Sequence, residues 1–172
     1  MNAVFDNNRS GPRSWRRVLP LAAILAVALA GIGAHPASAK SSVPLTASVA
    51  GTVSGSSPDL TLHGTGNASH LGNVKSYDAT VHITTVDPDT GTITDTLTET
   101  LTAANGDTVT VLCQQVATPV SPGSSVFDGN DTWTVSGGTG RFSSANGSGS
   151  GHTHADLGAG TFTKDMNGTI NY

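Results

Sequence analysis

The stretch TITDTLTETLTA, Thr92–Ala103, decides the fold. A threonine occupies every second position, and the positions between them include Ile93, Leu97 and Leu101. Successive side chains of a β-strand point to opposite faces, so a period of two indicates a strand rather than a helix. We therefore predict a strand here, with one apolar face and one threonine face.

Turn signals flank this strand, and the same pattern recurs along the chain. DPDTG (87–91) precedes it, and ANGD (104–107) follows it with an Asn-Gly pair that favours hairpin turns. Period-two segments predict eight strands at residues 43–54, 59–66, 72–86, 92–103, 107–117, 131–137, 147–155 and 160–171. The segment 117–130, with two prolines and two glycines, is predicted to be a loop. This all-β pattern favours a single antiparallel barrel of about eight strands, with a β-sandwich as the alternative.

The first 39 residues have the features of a secretory signal peptide. Four arginines precede an apolar run, Val18–Ala34, and Ala37-Ser38-Ala39 supplies the small residues of a cleavage site. The alternative is a retained membrane anchor, but a spanning helix needs roughly 20 apolar residues, and this run is shorter. We predict cleavage after Ala39, a single domain at 40–172, and secretion by the general or the twin-arginine route.

Charge and cysteine content narrow the class of protein. After cleavage the chain keeps four basic and eleven acidic residues, a net charge of −7, so nucleic-acid binding is not expected. No membrane association is expected after cleavage either. Cys113 is the only cysteine and cannot form an internal disulfide, so an ordinary core must hold the domain. We predict that Cys113 is a small buried apolar residue rather than a nucleophile.

Two acidic residues are candidate catalytic groups. Asp95 and Glu99 lie on the same face of the 92–103 strand as the aliphatic residues. If that face lines a barrel interior, burial raises the pKa of both carboxyl groups and makes them candidate general acids. The alternative is that a bulge turns them outward or that the threonine face is the inner one.

Histidines and one tryptophan are candidate binding residues. His152, His154 and Asp156 in GHTHAD alternate along a predicted strand, so their side chains project from one face, as in some zinc sites. The alternative is a solvated polar surface. Trp133 and His82 are candidate ligand contacts, although a tryptophan in this position is more often a core residue than a ligand contact.

GGTGRF, residues 137–142, matches only the start of a dinucleotide-binding loop. The third glycine position falls on Ser143, and no helix pattern follows. We predict a tight connection between strands, with Phe142 in the core, and no nucleotide or other cofactor.

GGTGRF, with SSANGSGSG after it, resembles a motif of dirigent proteins and the wider allene oxide cyclase-like barrel superfamily. GTGNASHLG (64–72) resembles an element of bacterial secreted proteins with related barrels. The resemblance implies an eight-stranded barrel in which this motif is a late strand–turn–strand. It also implies that small hydrophobic molecules bind inside, as in plant members that cyclise or couple them. The acidic residues of those sites match nothing in this chain.

Three functions are consistent with these features. The first is a secreted, non-catalytic barrel that binds a small apolar ligand or a surface partner. The second is a cyclase or dirigent-type enzyme that acts on a small hydrophobic substrate through Asp95 and Glu99. The third is a structural or adhesive protein of the cell envelope.

Overall fold

A computed structural model describes residues 41–172, and these form one β domain. The predicted signal peptide, residues 1–39, lies outside the described residues. The strands are β1 (Val43–Ser56), β2 (Asp59–Ala68), β3 (Gly72–Val86), β4 (Ile93–Ala103), β5 (Thr108–Pro119), β6 (Val126–Gly138), β7 (Asn146–Asp156) and β8 (Thr161–Asn171). Within the described residues, no helix has the length and apolar character that crossing a membrane requires.

The eight strands form one closed antiparallel barrel. Each strand pairs with its neighbours in chain order, and β8 pairs with β1 to complete the circle. The closing register runs from Val43 opposite Ile170 to Thr52 opposite Thr161. The prediction of a barrel is therefore confirmed over the sandwich alternative, and closure leaves no unpaired strand edge.

Strand β4 shows why the chain closes in this way. Leu97 and Leu101 are buried, whereas Thr94, Thr96 and Thr98 are exposed. The apolar face predicted from the sequence is thus the inner wall of the barrel. The same alternation recurs in the other strands, so the core is the lumen itself.

One end of the barrel is closed by the connection between β6 and β7. A short 3₁₀ turn, Gly140–Phe142, places the Phe142 ring fully inside, where its centroid lies 4.8 Å from that of Tyr172. Gly140 has a φ of +59°, a conformation that suits glycine. GGTGRF is therefore a strand connection with a buried phenylalanine, as predicted. We call this the closed end.

The opposite end is formed by four turns, which lie between β1 and β2, β3 and β4, β5 and β6, and β7 and β8. We call it the mouth. The predicted loop 117–130 is wrong here, because β5 continues to Pro119 and β6 begins at Val126. Phe127 opposite Pro119 and Gly129 opposite Ala117 extend the ladder between these strands. Pro119 is the last residue of β5 and still pairs with Phe127 of β6, so the proline does not exclude the residues before it from the strand.

The first half of strand β7 lines the lumen with glycine instead of larger side chains. Gly147, Gly149 and Gly151, which we call the glycine row, alternate with outward serines. A Cβ on Gly149 would lie 2.4 Å from Cζ2 of Trp133 on the adjacent strand. The glycine row therefore makes room for large inward side chains of β6.

Candidate functional site

A fully buried ionic cluster crosses the middle of the lumen. Glu99 on β4, Asp131 on β6 and Lys164 on β8 meet there, and we call them the polar layer. Nζ of Lys164 lies 2.5 Å from Oε1 of Glu99 and 2.8 Å from Oδ2 of Asp131. All three side chains have no exposed surface. The layer separates the closed end of the lumen from the mouth.

The polar layer sets two carboxyl groups against one amine. Burial acts to lower the pKa of Lys164, but Glu99 and Asp131 outweigh it and raise that pKa, which favours the ammonium form. Oε2 of Glu99 and Oδ1 of Asp131 are buried and have no hydrogen-bond partner within the described residues. Such unpaired oxygens are costly in an apolar interior.

Aromatic and aliphatic side chains fill the lumen between the polar layer and the closed end. Trp133 is buried, and its Nε1 donates a hydrogen bond to the carbonyl oxygen of Ser150 at 3.0 Å. Tyr77 is also buried, and burial, followed by the charge of Glu99, raises the pKa of its hydroxyl. This part of the lumen is a packed core, and Trp133 serves as a core residue there.

A small apolar cavity of about 50 Å³ lies between the polar layer and the mouth. We call it the mouth pocket. Its walls are mostly aliphatic and include Leu60, Ala117, Phe127 and Leu157. Its polar lining residues are Asp95, Gln115 and Thr153.

Asp95 is the one acidic residue that lines the mouth pocket. Burial raises the pKa of its carboxyl group to about 7; the Lys164 charge opposes this shift, and the charges of Asp131 and Glu99 add to it. Oδ1 of Asp95 is buried without a hydrogen-bond partner within the described chain. On the neighbouring strand, Nε2 of Gln115 donates to Oγ1 of Thr153 at 3.0 Å. Asp95 is therefore a polar group with unused hydrogen-bonding capacity in an apolar pocket.

The two predicted acidic candidates both point inward, but they occupy different places. Asp95 lines the mouth pocket, whereas Glu99 lies one layer deeper and contacts Lys164. Both carboxyl groups face the barrel interior, but the polar layer fills the barrel at the level of Glu99 and separates it from the mouth pocket. Only Asp95 is placed to meet a molecule that enters from the mouth.

The histidine candidates lie on the outer surface. His152 and His154 are exposed on β7, where Nδ1 of His154 lies 2.8 Å from Oδ1 of Asp128 on β6. Asp156 is not part of this group: its Oδ1 accepts hydrogen bonds from the backbone N–H groups of Gly158 and Ala159. Within residues 41–172, no group of three His, Cys, Asp or Glu side chains is arranged to hold a metal ion.

His82 does not contact the lumen either. It is exposed on β3, and its Nδ1 lies 2.8 Å from Oδ1 of Asp59 on β2. The alternation of β3 points Val81 inward, so His82 must point outward. His82, a candidate ligand contact, therefore does not face the lumen.

Two residues of the polar layer were not identified from the sequence. Lys164 alternates with Phe162 and Met166 in TFTKDMN, and Asp131 alternates with Trp133 in NDTWT. Each charged residue thus occupies an inward position of its strand. This alternation with apolar residues could have identified both Lys164 and Asp131 as inward-facing charged residues.

The comparisons with known proteins give no further guide. The chain matches no protein-family model, no curated protein and no solved structure. The geometry of the mouth pocket and the polar layer is therefore the basis for a function.

Proposed function

We propose that the protein is an exported, non-catalytic β-barrel that binds a small apolar molecule in the mouth pocket. The observation that carries this proposal is an apolar cavity at one end of the barrel with a single unpaired carboxyl group in it. Ligand sites are commonly apolar concavities in which a few polar groups fix orientation, and barrel mouths are frequent locations. The resemblance to barrels that hold small hydrophobic molecules supports the same proposal.

The size of the pocket limits the ligand class. A cavity of roughly 150 Å³ is known to admit benzene, and the mouth pocket is about 50 Å³. The polar layer blocks deeper entry. The ligand is therefore a short alkyl chain or the end of a longer apolar molecule, with the remainder outside. A hydroxyl or amine near the inserted end would satisfy Asp95.

Export is the second component of the proposal. The basic start, the apolar run 18–34 and the small residues at 37–39 support it. An acidic domain with few lysines is compatible with a location outside the cell.

Titration with 1-hexanol, followed by two-dimensional NMR of the ¹⁵N-labelled protein, tests ligand binding. We expect saturable shift changes at backbone amides of Leu97, Ala117 and Ala155, because these residues line the mouth pocket. Amides near Phe142 at the closed end should not move. Shifts that fail to saturate, or that spread evenly over both ends, would contradict the proposal.

A matched pair of variants separates pocket binding from nonspecific adsorption. Ala117→Phe places a ring in the mouth pocket and is expected to lower hexanol affinity at least about tenfold, a loss of roughly 1.4 kcal/mol. Ala50→Phe adds the same ring on the exposed face of β1 and should leave affinity unchanged. Equal affinities in the two variants would place the hexanol elsewhere.

A second candidate function is an enzyme that acts on a small hydrophobic substrate, with Asp95 as general acid or base. The raised pKa of Asp95, about 7, favours this candidate because acid–base catalysts work best near the ambient pH. The candidate requires a carboxyl group that titrates near neutrality. A measured pKa near 4 for Asp95 would remove it.

A further inference from the structure

The polar layer places an amine within hydrogen-bonding distance of two carboxyl groups in a buried interior. Nζ of Lys164 is 2.8 Å from an Asp131 oxygen and 2.5 Å from a Glu99 oxygen. We propose that Lys164 and Asp131 condense into an intramolecular amide crosslink, with Glu99 as the proton relay. This inference does not depend on ligand binding at the mouth.

The surroundings of the three side chains suit a neutral amide. The side chains have no exposed surface, and the cluster joins two carboxyl groups to one amine. One oxygen of each carboxyl group has no hydrogen-bond partner among the described residues. Condensation replaces the Lys164 amine and the Asp131 carboxyl group with a neutral amide, which is less costly to bury than an ion pair. It also consumes one of the carboxylates that carries an unpaired oxygen.

The two carboxyl groups have different positions relative to Lys164. Asp131 and Lys164 come from β6 and β8, which flank the glycine row of β7. A Cβ on Gly151 would lie 2.6 Å from both Asp131 carboxylate oxygens, so the absent side chain leaves room for Asp131. Glu99 reaches Lys164 from β4, on the opposite wall of the barrel. Asp131 is thus placed to be joined to Lys164, and Glu99 contacts Lys164 from across the lumen.

The reaction balances without an oxidant or another co-reactant. The Lys164 ammonium first gives a proton, through Glu99, to the Asp131 carboxylate, which leaves a neutral amine beside a neutral carboxylic acid. The Nζ electron pair attacks Cγ of Asp131 and forms the N–C bond. Glu99 then takes a proton from this nitrogen and returns it to an Asp131 oxygen, whose C–O bond breaks. One water molecule leaves, Glu99 is regenerated, and no atom changes oxidation state.

The decisive measurement is a mass analysis of the purified, denatured wild-type protein. We expect an intact mass about 18 Da below that of the sequence, because amide formation releases one water. Lys40, Lys75, Arg141 and Lys164 are the basic residues after the predicted signal peptide. Trypsin should fail to cut at Lys164 and should leave residues 76–141 covalently joined to residues 142–172. A full-length mass and a free peptide ending at Lys164 would overturn the proposal.

The digest also excludes a different dehydration. Asp128-Gly129 is a sequence that can form a cyclic imide with the same mass loss, but that product leaves the two tryptic peptides separate. Fragmentation of the joined peptides identifies the acceptor. Fragments that place the link on Glu99, the only glutamate in the chain, would contradict the assignment to Asp131.

Three variants test the roles. Lys164→Arg keeps the positive charge and should show the full mass, whereas Lys75→Arg, on the exposed side of β3, should keep the loss. Glu99→Gln should fold, by circular dichroism, and remain unlinked. Because that change also removes a buried charge, Glu99→Asp is measured beside it and should link incompletely. Complete linkage in both Glu99 variants would overturn the relay role.

Discussion

Three carboxyl groups and one ammonium group share the interior of the barrel. Glu99 and Asp131 contact Lys164, and Asp95, one layer away, lines the mouth pocket. Alternation in β4 predicted that Asp95 and Glu99 share a face with the aliphatic residues but left open which face is inner, and in the structure this face lines the lumen. Their separation into two layers could not be predicted, because it depends on which residues the distant strands β6 and β8 bring to the same height.

Asp95 should make stability depend on pH. Its folded pKa of about 7 lies above the ordinary value, so the folded protein retains a proton that the unfolded chain has lost between about pH 4 and about pH 7. Stability from this group therefore falls as pH rises through that window and is flat above it. Lys164, Glu99 and Asp131 are the charged groups that act on Asp95.

The variant Asp95→Asn isolates this contribution. At about pH 8 we expect it to be more stable than wild type by about 1–3 kcal/mol, because the buried carboxyl group of wild type is then charged whereas the amide stays neutral. The advantage should shrink towards about pH 4. Urea unfolding of both proteins at several pH values measures the difference between their free energies of unfolding. Asp78 and Asp87 have lowered pKa values and so make stability rise with pH, but they do so equally in both proteins and cancel in the difference. Parallel profiles of unfolding free energy against pH for the two proteins would show that the pKa of Asp95 is not raised.

At the scale of single elements, the sequence was a good guide. All eight predicted strands are present, and most boundaries agree within two residues. The exception is the start of β6, five residues earlier than predicted, at Val126 instead of residue 131. Proline and glycine in 117–130 indicated a loop, but pairing with β5 decided the boundary. Tertiary pairing of this kind is not encoded in local composition.

Strand β7 is the element whose composition is most constrained by its neighbours. In Gly149→Ala, the new Cβ would lie 2.4 Å from Trp133 and 2.1 Å from the carbonyl oxygen of Asn167. We expect a loss of about 1–3 kcal/mol in the free energy of unfolding, the usual cost of overpacking. Ser148→Ala, on the outer face of the same strand, should change it by less than about 0.5 kcal/mol. If both variants lose equally little stability in urea unfolding, the barrel wall at Gly149 can shift to accommodate a Cβ atom.

The whole molecule has two unlike ends. The closed end is filled by Phe142 and its contact with Tyr172, whereas Phe127 borders the mouth pocket. The sequence left barrel and sandwich open, because the pairing of β1 with β8 joins residues at opposite ends of the domain. Local patterns carry no information on so distant a pairing. The inward position of Phe142 was predicted from the sequence. Its role in closing one end of the barrel was not, because that end exists only when β1 pairs with β8.

Truncation of one phenylalanine at each end should expose this asymmetry. Phe142→Ala removes a fully buried ring and is expected to cost about 3–5 kcal/mol. Phe127→Ala removes a ring that is only half-buried beside an existing cavity and should cost less than half as much. Thermal and urea unfolding of both variants measure the ratio. Similar losses would indicate that the mouth is packed as tightly as the closed end.

The polar layer also separates positions that an engineer would keep from positions that could be varied. Side chains between the layer and the closed end form a packed core, and the mouth pocket lies on the other side of the layer. Pocket residues that are not fully buried, such as Leu60 and Leu157, can therefore be varied as a library with less disturbance of that core. A designer would obtain a barrel in which ligand specificity and stability are adjusted by separate sets of positions.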